Sequence, residues 1–454
     1  MSDPLGIRTA RRRYVTVCAL FWLPLGLTIA PLVLLFTERG MPLTAIAGFL
    51  AAHSLTAAAL ELPTGGLSDV IGRRTVLAAA GLCNLTAFTC LALGASPWLL
   101  TAGMALVGAG RAPSSGPAES WYVDTVQAHA GPDAELRTGL ARGGSATSAA
   151  LAVGTLIGGS LPWLLGLGPD LGARLSAATS GLVLPLSTPL LLGAVVEAGF
   201  VAYVLSALRE PPRRPARLTH ILRDVPATVV SGLRLGGDAV VRRVLLSAAA
   251  TGVALATIEL LSPGRAADLT GAAESGAVLF AALACVGFLC SSLGSQLAPL
   301  AARLTGGSER AALTGLTTSA LGLAALAVTA LSHSPASMVL AATGFGLVYL
   351  GFGIANPNQK DLLHRRVTST ARATALSVQS LALQLTAAAA GLAVGALPTG
   401  PLPWLLGSTA LLAGAALWAP RHMGQGAPPT ANDTHSSCNV RTGSGEPSTS
   451  FSRF

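Results

Sequence analysis

Runs of about 20 mainly apolar residues, the length that crosses the hydrocarbon core of a bilayer, recur along the chain with short polar or glycine-rich links between them. Twelve can be placed, at 14–36, 42–62, 75–95, 98–119, 143–165, 183–207, 244–262, 275–298, 311–332, 336–356, 372–397 and 402–420. In lipid a backbone must satisfy its own hydrogen bonds, so each run is predicted to be a helix. The expected class is an all-α membrane protein with twelve transmembrane helices. An even number of crossings puts both termini on one side.

Composition agrees with this pattern. Of 454 residues, 51% are hydrophobic and only 11% charged, too little charge for a soluble chain of this length. The net charge of +9 is not a nucleic-acid footprint, because the basic residues lie between the apolar runs. Twenty-five of the 29 fall on the side of the termini and the even-numbered links. The opposite side holds only Arg39, Arg174 and Arg265, and Arg111 lies within a run. Such a split predicts cytoplasmic termini, hence a multi-pass protein of the cell membrane. Of the cysteines, Cys18, Cys83, Cys90, Cys285 and Cys290 lie in apolar runs and Cys438 in the tail, with no metal-ligand spacing. Neither a metal nor a cofactor is expected. Past Arg421 the chain is rich in Ser, Thr, Gly and Pro and reads as a disordered tail over 421–454.

One link is unlike the others. Between the second and third runs stands Gly65-Gly66-Leu67-Ser68-Asp69-Val70-Ile71-Gly72-Arg73-Arg74. Its glycines allow a turn, and its charges cannot sit in hydrocarbon, so they mark a membrane–water boundary. In spacing it resembles the loop signature of the major facilitator superfamily, Gly-x-Leu-x-Asp-x-x-Gly-Arg-Arg, which joins that family's second and third spans. Gly65, Leu67, Asp69, Gly72, Arg73 and Arg74 fall in register, while Val70 stands where the family often has a basic residue. The resemblance implies two similar six-helix bundles, 14–207 and 244–420. They would follow an N-terminal segment 1–13 and be joined by a basic, proline-containing linker, 208–243. A faint second copy of the motif, Gly294 to Arg303 with Gly306, Gly307 and Arg310, follows the eighth run without the Asp.

Charges inside spans are costly and are functional candidates by default. Arg111, in Gly108-Ala109-Gly110-Arg111, resembles the superfamily's fourth-span arginine, which is linked to proton coupling there. The alternative to that role is a structural arginine bonded to backbone carbonyls or to Glu119. The segment Glu119-Ser120-Trp121-Tyr122-Val123-Asp124 looks like one in bacterial drug-efflux members, as does Arg372-Ala373-Thr374-Ala375-Leu376-Ser377. Asp124 or Glu119 could pair with Arg73 or Arg74, as a latch on one conformation. Glu61 closes the second run, Glu197 lies deep in the sixth and Glu259 near the outer end of the seventh. These carboxylates are the candidates for carrying a proton or binding substrate. Glu197 fits best by depth, with Arg111 as its partner. His53 would donate to a neighbouring helix. Gln379, Gln384 and Asn356 could line a cavity or bond between helices. Gly154-Thr155-Leu156-Ile157-Gly158-Gly159 resembles the end of a glycine signature of drug–proton antiporters, and close helix packing explains it as well.

The expected function is secondary transport, the proton-coupled efflux of small amphipathic molecules, by a protein acting as a monomer in the bilayer. Its partners would be protons and a small-molecule substrate, with no nucleic acid. No Walker phosphate loop is present, and the sole lysine, Lys360, has no glycine-rich setting, so ATP drive is unsupported. An enzyme is not expected, since the chain lacks His-Glu-x-x-His and Gly-x-Ser-Gly. A proton-coupled importer or a non-transporting sensor remains the alternative.

Overall fold

Helices occupy all twelve of the expected positions in the computed structural model, which describes residues 6–113, 116–131, 133–210, 234, 236–332, 334–367 and 372–420. The first run is two helices, α1 (Ile7–Ile29) and α2 (Leu32–Glu38), bent by 40° where Pro31 interrupts the backbone ladder. Then follow α3 (Leu43–Ile71), α4 (Arg73–Leu93), α5 (Pro97–Arg111), α6 (Pro117–Ala130), α7 (Arg137–Leu165), α8 (Leu171–Ala178) and α9 (Thr188–Ala207). The remainder holds α10 (Ala239–Thr270), α11 (Ala273–Thr305), α12 (Ser308–Thr329), α13 (Pro335–Arg366), α14 (Arg372–Ala396) and α15 (Pro401–Ala416).

Among the described residues nine helices are long and apolar enough to span a membrane, ten if the bent pair counts as one. The shortfall from twelve has physical causes. The expected fourth span, 98–119, breaks after Arg111, and a new helix begins at Pro117, a residue preorganised for a first turn. The 15-residue α5 is therefore only about 22 Å long. The 16-residue α15 is also short. Helix α8, capped by Asp170 on Ala173 N at 2.9 Å, was not expected. Helix α10 reaches into the expected linker, which places Arg242 and Arg243 on a helix. Positions 211–233, 235 and 421–454 of the expected linker and tail lie outside the described residues.

Packing follows one plan twice. Helix α1 lies against α7 and α9, α3 against α5, and α4 against α5 and α9. Six spans later, α10 lies against α14 and α15, α11 against α13, and α12 against α13 and α15. The most extensive contacts between the sets are α3 with α14 and α7 with α11, and α2 also touches α10 and α11. Small residues allow the closest approaches: a Cβ at Gly158 would stand 2.1 Å from the Leu27 carbonyl oxygen, and one at Gly159 2.5 Å from Ala281 Cβ. The Gly154–Gly159 run is thus a packing surface for α1 on one side and α11 on the other.

The core divides accordingly. Tyr14, Phe21, Trp121, Tyr122 and Phe200 centre a cluster drawn from α1, α4, α6 and α9. Phe280, Leu316, Leu323, Phe345 and Trp418 centre one drawn mainly from the later helices. A third, around Phe36, Phe88 and Leu91, also takes in Leu260, Ala277 and Val394 from the later helices. That third cluster seals the end of the molecule where Arg39 and Arg265 lie. There Arg39 Nη2 donates to the carbonyls of Ala92 and Leu182, and Arg265 Nη2 to those of Thr329 and Ser332. Each arginine thus covers a carbonyl at the C-terminal end of the third span of its set, Ala92 in α4 and Thr329 in α12, and one in a loop.

Candidate functional site

Two glycines place Arg111. A Cβ at Gly108 would stand 2.4 Å from the His53 carbonyl oxygen, and one at Gly110 2.2 Å from Asn84 Oδ1. Helix α5 can therefore press against α3 and α4, and it delivers an exposed Arg111 from its last turn. That guanidinium has no hydrogen bond or ion pair among the described residues. Neither the expected carbonyl bonds nor a Glu119 pair forms.

Its charge acts instead on Glu61 and His53 of α3 and on Glu259 of α10. Glu259 acts in turn on Tyr349 of α13. Four helices, two from each packing set, thus contribute to one electrostatic cluster. Glu259 is enclosed by protein yet open to a water-sized probe, the condition of a group lining an internal cleft. Its expected place near the outer end of a span is corrected: α10 runs on through Pro263 to Thr270, so Glu259 lies well inside the helix. Glu61 Oε2 accepts from Ser380 Oγ at 2.6 Å, tying α3 to α14. His53 was expected to donate to a neighbouring helix, but its Nδ1 is buried without a hydrogen-bond partner.

Glu197 stands apart. It is fully buried, and its Oε1 accepts from Asn84 Nδ2 at 3.0 Å. Its partner is therefore Asn84 and not Arg111. Glu197 Oε2 and Asn84 Oδ1 both lack a partner. Two acceptors left open in one buried pocket are costly, and a single shared proton would serve both.

The motif link also differs from expectation. Backbone at Gly65 and Gly66 is helical, and α3 continues through Leu67 and Asp69 to Ile71. The turn is made by Gly72 alone, at φ 112° and ψ 140°, a region that residues with a Cβ avoid. Arg73 then opens α4, donates Nη1 to the Ser120 carbonyl at 2.7 Å and forms an ion pair with Asp124 of α6. The backbone N–H of Arg74 donates to Glu210 Oε1 at 2.6 Å. The side chain of Asp69 lies outside the described residues.

Glu119 is exposed in the first turn of α6, beyond the break that ends α5, so it is not within a span. Gln379 and Gln384 on α14 are half-buried and Asn356 on α13 is exposed. In the second motif copy, Gly294 belongs to the packed interior of α11, 2.3 Å by its ideal Cβ from the Leu350 carbonyl oxygen. The turn there is Gly306-Gly307, and Asp361 is held by Ser308 Oγ at 3.0 Å and Arg365 Nε at 3.0 Å. Sequence reasoning passed over Asn84, Ser380 and Tyr349. Each is a polar side chain within an apolar run, which was signal enough to mark it.

A helical bundle of paired spans, with ionisable groups from both sets gathered within it, is an architecture suited to a membrane transport protein. The family model of the Major Facilitator Superfamily matches residues 14–391, and the chain belongs to that superfamily of transporters. Among solved structures it is similar to a mutant of the nucleoside transporter NupG, with a TM-score of 0.70 and 12% identity over 90% of this chain and 98% of that one. It is also similar to a bacterial homolog of the human lysosomal transporter Spinster, in an inward-facing and occupied conformation, with a TM-score of 0.65 and 17% identity over 92% and 95%. A third likeness is to the POT family transporter PepTSo, with a TM-score of 0.66 and 13% identity over 91% and 97%. No curated protein sequence matches the chain.

Proposed function

We propose that this protein is a proton-coupled secondary transporter that exports small amphipathic molecules by alternating access, with halves 14–207 and 244–420 moving against each other. The observation that carries this reading is the unpaired Arg111 standing in electrostatic reach of Glu61 on its own half and Glu259 on the other. An ionised Glu259 is drawn to Arg111 and a protonated one is not, so taking up a proton changes the attraction between the halves. A substrate entering the cleft competes for the same two groups. In this scheme Glu61 is the second carboxyl within reach, and Arg73–Asp124 is a contact whose loss accompanies movement of the basic face. Export is favoured over uptake of sugars or organic anions by the sparse basic lining, Arg111 being the one arginine or lysine well inside the expected spans. It is also favoured by the likeness of Glu119–Asp124 to segments of drug-efflux members.

The test is transport of a panel of amphipathic compounds by purified protein in liposomes under an imposed pH gradient. Glu259→Gln is expected to lower gradient-driven accumulation at least about tenfold, equivalent to about 1.4 kcal/mol. Exchange of labelled for unlabelled substrate should persist, since it needs no net proton movement. Full gradient-driven transport by that variant would remove Glu259 from the coupling step. Accumulation only in the import direction would turn the proposal to uptake.

A further inference from the structure

Arg8, Arg11 and Arg12 occupy positions i, i+3 and i+4 of α1 and therefore share a face. Helix α7 packs on α1 and brings Arg142 to the same place. These four arginines, with Val15 and Thr16, line a hollow of about 390 Å³ with no carboxylate among its described lining residues. None of the four makes a hydrogen bond or an ion pair among the described residues. Beyond the lining, the Tyr122 hydroxyl feels the charge of Arg11 and, in the opposite sense, that of Glu135. Arg13, between them in sequence, is by contrast committed to the Ala207 carbonyl. Four like charges around one hollow, three of them within about a turn of α1, repel one another, so the arrangement calls for an anion.

Depth says which anion. The apolar run of α1 begins at residue 14 and that of α7 at residue 143. At 1.5 Å per residue, Arg12 and Arg142 then stand about 2–3 Å outside the hydrocarbon and Arg8 about 9 Å outside. The headgroup layer is roughly 5–8 Å thick on each side of a bilayer. The hollow therefore lies level with lipid phosphates, and Val15 leads from it into the acyl region. Guanidinium groups bind phosphate oxygens in bidentate fashion, and basic pockets between membrane helices favour anionic headgroups.

We propose that the hollow between α1 and α7 is a binding site for the headgroup of an anionic phospholipid. Its four guanidiniums match a lipid with two phosphate diesters better than a lipid with one. Bound there, the lipid bridges the two helices that also carry the Gly154–Gly159 contact.

The experiment is native mass spectrometry and thermal melting of the purified full chain with cardiolipin, phosphatidylglycerol, phosphatidylcholine or inorganic phosphate. Retention and a rise in Tm are expected in the order cardiolipin, phosphatidylglycerol, then none with phosphatidylcholine. Arg11→Gln/Arg142→Gln should bind cardiolipin roughly thirtyfold more weakly. Arg11→Lys/Arg142→Lys, which keeps the charge that fixes orientation, should recover part of the affinity and controls for folding. Cardiolipin retention by the Gln variant equal to the parent's would overturn the site. Displacement of the lipid by millimolar inorganic phosphate would overturn the lipid as its occupant.

Discussion

Helices α1–α9 and α10–α15 pack in the same pairwise order, yet the polar side chains they carry do not correspond. Arg39 and Arg265 match, each covering helix-end carbonyls on the same face. The turns after α3 and α11 do not. One is a single glycine followed by an arginine that pairs with Asp124 on another helix. The other is a glycine pair, and its Asp361 bonds Ser308 and an arginine on its own helix. The interior differs more. The first set supplies Arg111, Glu61, His53 and the sealed Asn84–Glu197 pair, and the second supplies Glu259 and Tyr349. Where the copies agree, the shared residues are those that helix packing and helix ends require. Where they diverge, the residues include the charged groups Arg111, Glu61 and Glu259 that act on one another across the sets. The divergence is what a duplicated scaffold needs if a proton is to be handed between unlike partners.

The sharpest contrast is between Glu259 and Glu197, and it gives the largest expected effects. Gln at 259 removes a charge that Arg111 sees, and coupled transport should fall as stated above. Gln at 197 keeps the Oε1 that accepts from Asn84, and its amide can donate to the open Asn84 Oδ1. Glu197→Gln is therefore expected to leave gradient-driven transport within about twofold of the parent and Tm unchanged or raised. Glu197→Ala, which strands Asn84 in a dry pocket, should cost about 1–3 kcal/mol of stability. Liposome transport assays beside thermal melts measure both. If Glu197→Gln loses coupling while Glu259→Gln keeps it, the contrast is inverted.

Much of this was legible in the residues, and the gaps have physical reasons. Apolar length placed a helix at each of the twelve expected runs, because lipid leaves the backbone few alternatives, and it missed the short α8 between two of them. It misjudged helix ends at Arg111 and Pro263. A Gly-Pro pair at 116–117 starts a new helix, whereas Pro263 sits inside a helix that goes on to Thr270. The Arg73–Asp124 pair was among the expected pairings because both are charged and close a boundary. The mistaken Glu197–Arg111 pairing came from judging depth alone. Depth along a helix follows from sequence position, but which way a side chain faces depends on Gly108 and Gly110 setting α5 against its neighbours. No pattern in one sequence states that.

The two turns give an intermediate effect. Gly72 has φ 112° and ψ 140°, whereas Gly306 has φ 83° and ψ 26°, the left-handed helical region that Asn also tolerates. Gly72→Asn should cost about 1–3 kcal/mol, seen as a lower Tm and reduced transport. Gly306→Asn should be near neutral in both. Equal tolerance would mean that the turn after α3 relaxes freely and contributes nothing that its counterpart lacks.

The smallest expected effect separates the first helices of the two sets. Helix α1 starts after Gly6 with no side-chain cap, whereas α10 starts after Asp238, whose Oδ1 accepts from Val240 N at 2.8 Å and Val241 N at 3.0 Å. Those backbone bonds, that of Val241 first, with Arg366 and Arg242 adding to them, hold the Asp238 carboxyl below the usual aspartate range. A carboxyl whose folded value is depressed contributes its stability above its unfolded pKa of about 3.9 and loses it as pH falls through the folded value. The cap should therefore be fully present at neutral pH and fade only below about pH 4. Replacing Asp238 with Ala is expected to cost about 1 kcal/mol or less at pH 7. Asn, which can still accept the two bonds, should restore most of it. Melting curves of both variants from pH 7 to pH 3.5 measure the effect. The Tm gap between Asp238→Ala and the parent should narrow toward the acid end. A gap of the same size across the whole range would show that α10 is held at its start by packing alone, as α1 is.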